Sequence, residues 1–108
     1  MTVLNRKFVF HIPLYKHVSG NLVQIDIDDI LEELMMEFNE NGFDSFYITR
    51  IDSYYKTRRF EEMLITIFSN DDEPCGIFEE WFRKNNDTLC QEAFAYEIGN
   101  EMMITDLD

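Results

Sequence analysis

Glycine, proline, cysteine, histidine and basic residues are all scarce in this chain, and each shortage closes a class of function. The four glycines, Gly20, Gly42, Gly76 and Gly99, are isolated, so no glycine-rich loop is available to cradle a phosphate. The nucleophile elbow of serine hydrolases is absent as well. Cys75 and Cys90 form no CxxC pair and have no histidine at ligand spacing, which excludes a metal finger. Two cysteines are also too few for a disulfide framework, and both are expected as reduced thiols. His11 and His17 are six residues apart, roughly 20 Å along an extended strand, too far to share a metal ion. His11 is expected on a strand face. No apolar run approaches the roughly 20 residues of a membrane span. The N-terminal residues lack the apolar stretch of a signal peptide, so the cytoplasm is the expected compartment.

The shortage of bases is the largest of these. Nine Lys and Arg stand against 22 Asp and Glu, a net charge of −13 with a pI near 4.3. Such a field repels nucleic acid and anionic membrane and favours basic partners. It excludes direct nucleic-acid binding more firmly than it suggests any chemistry.

What the chain does contain is a large apolar fraction, 45 % hydrophobic and 15 % aromatic, in 108 residues without repeat, linker or composition break. One α+β domain over residues 1–108 is expected. Phe8, Phe10, Ile12 and Leu14 alternate as in a strand running from Lys7 to Tyr15, ending near Pro13 or lying at a sheet edge. Ser19-Gly20-Asn21 marks a turn. Asp26 begins a helix whose stripe is Ile27, Ile30, Leu31, Leu34 and Phe38, with Asp29 completing a capping box and Asn41-Gly42 ending it.

Phe43 to Tyr55 and Phe60 to Phe68 read as two strands of a hairpin across the polar interval Lys56-Thr57-Arg58-Arg59. Pro74 opens a second helix with Ile77, Phe78, Trp81 and Phe82 inward, ending near Asn85-Asn86, and Trp81 is expected in the core. Ala93 to Ile98, a Gly99-Asn100 turn and Met102 to Ile104 form a last hairpin. The order β-α-β-β-α-β, with a possible extra C-terminal strand, predicts a ferredoxin-like antiparallel sheet with two helices on one face.

The other face then needs a cover. In the third strand Met63, Ile65 and Ile67 oppose Leu64, Thr66 and Phe68, both sides being apolar. A second copy, the C-terminal hairpin or a foreign partner could supply it, and a homodimer is expected.

The candidate binding residues are acidic. Asp29, Glu32, Glu33, Glu37 and Glu40, with Met36, line the outer side of the first helix without an interleaved base. Asp29, Glu33 and Glu37 repeat like charges at i,i+4, costing a few tenths of a kcal/mol per pair. Asp71, Asp72, Glu73, Glu79 and Glu80 form a second acidic patch. Asp26, Asp28 and Asp29 are not an EF-hand, because the sixth position from Asp26 is Leu31 rather than Gly. They read as dipole-neutralising acids. Arg50, Lys56, Arg58 and Arg59 cluster beside Tyr47, Tyr54 and Tyr55, a pattern compatible with stacking on RNA, but pairing with nearby acids explains it better.

In size, charge, element order and lack of catalytic motifs the chain resembles the small acidic inhibitors of phages and plasmids, the anti-CRISPR and antirestriction proteins. That resemblance implies a non-catalytic module, a DNA mimic, binding a basic nucleic-acid-binding protein such as a CRISPR or restriction effector. No motif carries contact residues over from that group. It also implies no enzyme activity and no cofactor. The alternative is a ferredoxin-like dimer that binds a small ligand or regulates another protein. An enzyme would need convergent acids or histidines, which the linear sequence does not reveal.

Overall fold

The computed structural model describes residues 1–107, the side chain of Tyr55 excepted. Its elements are β1 (Arg6–Pro13), β2 (Tyr15–Val18), β3 (Asn21–Gln24), α1 (Asp28–Glu40), β4 (Tyr47–Tyr55), β5 (Arg58–Ser69), α2 (Glu73–Leu89), β6 (Ala93–Ile98) and β7 (Glu101–Asp106). Five strands form one sheet in the order β4-β5-β1-β6-β7, antiparallel at every ladder. Setting β7 and the β2–β3 hairpin aside, this is the expected ferredoxin-like arrangement, an α+β fold with both helices on one face.

Period-two alternation decides which side chains enter the core. Phe8, Phe10 and Ile12 pair across the ladder with Ile67, Ile65 and Met63, so all six share one face. All six are buried in one cluster with Leu31, Leu34 and Phe38 of α1 and Phe78, Trp81 and Phe82 of α2. Phe10 stacks near Phe38, Phe78 and Tyr96, with ring centroids 4.7 to 5.8 Å apart. The Trp81 indole N–H donates to the Ile30 carbonyl at 2.7 Å, tying the helices together where the sequence indicated only apolar packing.

Several boundaries differ from those expected, each for a local reason. The first helix begins at Asp28 without a side-chain cap, so the Asp26 capping box does not form. Ile27 lies in the helical region and its carbonyl already accepts from the Leu31 amide at 2.8 Å. The C-terminal stop is as expected. Gly42 has φ 89°, and the Phe43 and Gly42 amides reach the Phe38 and Asn39 carbonyls at 2.8 and 3.1 Å, a Schellman closure. That closure turns the chain, so Phe43 and Phe46 pack half-buried against the core and the strand starts later, at Tyr47.

The following hairpin turns on Lys56-Thr57 alone, both with positive φ, leaving Arg58 and Arg59 inside β5. The second helix runs past Asn86 to Leu89, which is fully buried, and ends on Cys90 in the left-handed conformation. The Asn86 side chain bonds both the amide and the carbonyl of Gln91 beyond that end. β1 ends at Pro13 but is the central strand, not an edge. Its ladder with β6 spans only Phe8 to Phe10, so no bond to β6 is lost at the proline. The β2–β3 hairpin was not anticipated, although its two-residue Ser19-Gly20 turn lies where a turn was expected.

A candidate active site on the open face of the sheet

Residues one position off the core register fall on the face away from the helices. On β1 these are Lys7, Val9, His11 and Pro13; on β5, Phe60, Glu62, Leu64, Thr66 and Phe68; on β6, Ala95 and Glu97. No helix covers them. β7 lengthens the sheet beside β6 instead of folding across it, which removes the C-terminal hairpin from the three candidate covers.

At the centre of this face His11 stands between two carboxylates. Its register partner on β5 is Leu64, with Glu62 two residues away, and Glu97 is register partner to Val9. Both glutamates are therefore diagonal neighbours, within reach of long side chains. His11 Nδ1 is 2.8 Å from Glu62 Oε2 and Nε2 is 2.7 Å from Glu97 Oε2. The side chains of His11 and Glu62 are each 16 % exposed and that of Glu97 is 34 % exposed.

A neutral imidazole has one N–H donor, so only the protonated ring donates to two ionised carboxylates at once. Burial alone disfavours the charged ring, but the hydrogen bonds and charges of Glu62 and Glu97 outweigh it and raise the His11 pKa above its ordinary value. The cluster therefore carries one net negative charge in a half-buried, largely apolar setting. With the ring protonated both nitrogens donate, leaving no lone pair for a metal ion or for a base. Among the described residues no other hydrogen bond reaches either glutamate's Oε1, so each carboxylate keeps an acceptor for a ligand. Tyr47, Phe60 and Phe68 share the face, Tyr47 and Phe68 being 52 % and 42 % exposed.

The residues singled out in the sequence lie elsewhere. Asp29, Glu32, Glu37, Glu40 and Met36 are exposed along α1, and Glu33 bonds Lys84 of α2 at 2.7 Å. Asp71, Asp72 and Glu73 lead into α2. There Asp71 accepts from the Glu73 amide at 3.0 Å and Asp72 pairs with Arg6. Glu79 and Glu80 follow on α2 itself. All of these belong to the helical side of the molecule. Arg59 pairs with Asp52 at 3.3 Å, as expected of that basic hairpin. Tyr54 and Arg59 share the helix-side register while Tyr47 and Arg58 take the open one, so the cluster is no single stacking platform. The Tyr55 side chain lies outside the described residues.

His11 was placed on a strand face, but its carboxylate partners were missed. They are 51 and 86 residues away in sequence. The available signal was a pair of ionisable residues at face positions of strands otherwise rich in apolar groups.

Two other features are less equipped for chemistry. A cleft of about 320 Å³ on the helical side is lined by Tyr15, Gln24, Asp26, Asp28, Arg50 and Glu61 among others, and among the described residues no side-chain hydrogen bond joins its charged groups. Cys75 is buried, and burial chiefly pushes its thiol up to about 11, which leaves it a poor nucleophile.

No family model matches the chain and no curated protein matches its sequence. Two solved structures share its fold. One is a phage SAM lyase in complex with S-methyl-5′-thioadenosine, with a TM-score of 0.64 and 12 % identity over 98 % of this chain and 95 % of that one. The other is a phage SAM lyase in the apo state, with a TM-score of 0.63 and 14 % identity over 98 % and 94 % of the two chains.

This likeness overturns the reading as a non-catalytic anti-CRISPR inhibitor or DNA mimic, and with it the expectation of no enzyme activity. The inhibitor reading rested on net charge and absent motifs. Net charge is not specific to any fold, and a site assembled across three strands leaves no linear motif.

Proposed function

We propose that the open face is the active site of an enzyme that cleaves S-adenosylmethionine and releases S-methyl-5′-thioadenosine. The observation that carries this reading is the anionic His11–Glu62–Glu97 cluster, half-buried on a fold shared with a phage SAM lyase over 98 % of the chain. S-adenosylmethionine has two cations, a sulfonium and an α-ammonium, and the cluster offers free carboxylate oxygens at a net negative site. Glu97, the more exposed acid, and Glu62 receive the ammonium. His11 is a positioning residue that holds both carboxylates in place through its ring protons. Tyr47, Phe60 and Phe68 offer flat apolar surface to the adenine.

The cluster contains no free base, which favours a reaction that needs none. In that reaction the substrate's own carboxylate oxygen attacks the carbon attached to sulfur. A C–O bond forms, the C–S bond breaks, and sulfur keeps the electron pair as a neutral thioether. The amino-acid arm leaves as a cyclic ester, and neither water nor a proton is consumed. Opposite charges vanish along this path, so an apolar, water-poor site lowers its barrier. By holding the ammonium, the carboxylates keep it from pairing with the attacking carboxylate. S-methyl-5′-thioadenosine has lost both cations and with them its attraction to the cluster. The substrate is a cytoplasmic metabolite, in keeping with the compartment expected from the sequence. No helix of the described residues is long and apolar enough to cross a membrane.

The test is incubation of the purified protein with S-adenosylmethionine and chromatographic detection of S-methyl-5′-thioadenosine and of the four-carbon product. Release of both supports the assignment. A folded protein that yields no S-methyl-5′-thioadenosine above the uncatalysed rate overturns it.

A further inference from the structure

We infer that Thr66 is a specificity-determining residue of the open face and hydrogen-bonds a ribose hydroxyl of the substrate's nucleoside, an assignment that rests on the proposed cleavage for the identity of the ligand. Two polar residues are buried among those described, Thr66 and Ser69, each 4 % exposed. The Ser69 hydroxyl accepts from the Asp71 amide at 3.2 Å. The Thr66 hydroxyl has no hydrogen-bond partner among the described residues. A buried hydroxyl without a partner costs free energy that valine, of the same shape, would not. Among the described residues no fully enclosed side-chain oxygen lacks a partner. The sliver of Thr66 that remains exposed therefore includes its hydroxyl oxygen.

The register fixes the face on which that oxygen emerges. Thr66 alternates with Ile65 and Ile67, which enter the core, so it belongs to the side away from the helices. Its partners are Val9 on β1 and Tyr47 on β4, and Val9 is also the partner of Glu97 on β6. Tyr47, Thr66, Val9 and Glu97 thus form one row across four strands. Val9 is 7 % exposed, so the middle of the row is a hollow, with the exposed rings of Tyr47 and Phe68 beside it. His11 is opposite Leu64, which makes Glu62 and Thr66 its two diagonal neighbours on β5, each about 7–8 Å away. On one side of His11 the strand offers a carboxylate, and on the other a neutral hydroxyl in an apolar hollow.

S-adenosylmethionine is divided in the same way. Its ammonium goes to Glu62 and Glu97, and on the other arm the ribose follows the sulfur by one methylene group. A threonine hydroxyl and a ribose hydroxyl each donate and accept, so the two can pair in either sense. Of the rings near the cluster, Tyr47 and Phe68 lie at the Thr66 end and Phe60 lies beyond Glu62. With the ribose on Thr66 the adenine falls on Tyr47 and Phe68, and the substrate has one direction across the sheet.

The experiment uses the full chain and two variants. Thr66→Val keeps the shape and removes the hydroxyl, whereas Thr66→Ser keeps the hydroxyl. Titration calorimetry reads the affinity for S-methyl-5′-thioadenosine and for its 2′-deoxy and 3′-deoxy counterparts, with urea midpoints measured alongside. The wild type should bind the ribonucleoside up to about tenfold more tightly than one of the deoxy compounds. Thr66→Ser should keep that preference, and Thr66→Val should lose it while unfolding at the same or a higher urea concentration. A wild type without the preference, or a Thr66→Val protein that retains it, overturns the inference and leaves the proposed cleavage in place. A Thr66→Val midpoint well below the wild type's shows a hydroxyl engaged within the protein and overturns it as well. A wild type that reads the ribose through Thr66 but never cleaves S-adenosylmethionine sinks the proposed activity and leaves this assignment standing. If none of the nucleosides binds, both fail.

Discussion

Phe10 and His11 are consecutive residues of β1 and mark the difference between the two faces of one sheet. Phe10 is fully buried among aromatic rings of both helices and β6. His11, one step on, meets two carboxylates on a face that no helix covers. The helical face is closed almost wholly by apolar groups, the Trp81 indole N–H with its Ile30 carbonyl partner being the polar exception. The open face holds ionised groups in a half-apolar setting, an arrangement that costs desolvation and persists because each charge has a bonded counter-charge. Burial is concentrated on the first face and the proposed chemistry on the second, and substitutions on the two sides should separate accordingly.

The largest effect is expected on the closed face. Phe10→Ala should cost about 3–5 kcal/mol through lost burial and a residual cavity, read as a fall in urea midpoint. A variant as stable as the wild type would mean that the aromatic cluster is not the anchor of the fold.

Next is Glu62→Gln on the open face. Gln keeps an acceptor for His11 and removes the charge, so the fold should hold while S-methyl-5′-thioadenosine release falls about 10²–10³-fold, as for loss of one group that stabilises developing or vanishing charge. Unchanged turnover would move the chemistry away from this cluster.

A smaller effect is expected from pH. The folded-state pKa of His11 lies above its unfolded value of about 6.5. Its contribution to stability is therefore complete below that value and is lost as pH rises through the folded pKa. Urea midpoints measured upward from pH 6 should decline for the wild type, and His11→Gln should flatten that decline. Equal slopes in both proteins would show that the imidazolium is not held as described.

The smallest effect is on the outer surface. Lys84 bonds Glu33 at the surface, their side chains 67 % and 37 % exposed, so Lys84→Met should leave both melting temperature and turnover unchanged. A change in turnover would give the acidic helix a part in the reaction.

Much of the fold was legible because its signals are local. Ile27, Leu31, Leu34 and Phe38 recur at helical spacing and are all buried, and Gly42 has the positive φ its position demanded. The pairing of Met63, Ile65 and Ile67 against Leu64, Thr66 and Phe68 held through the register of β5. Misplaced boundaries fell where a hydrogen bond from outside the element decided the matter, as with Asn86 and Gln91 beyond the end of α2. The site was not legible. The acids close together in sequence, Asp29 to Glu40, stand out because a helix displays them together. The two glutamates that meet His11 are dispersed over β5 and β6.

The sequence by itself determined the period of each element, the face each apolar residue takes, and therefore that one side of the sheet would be closed and the other left open. Those properties depend on residues within a few positions of one another, where backbone geometry is enough. The tertiary structure alone decided that His11, Glu62 and Glu97 meet. That meeting depends on β1 lying between β5 and β6 in one particular register, and a slip of β1 by one residue would have turned His11 into the core, away from both glutamates.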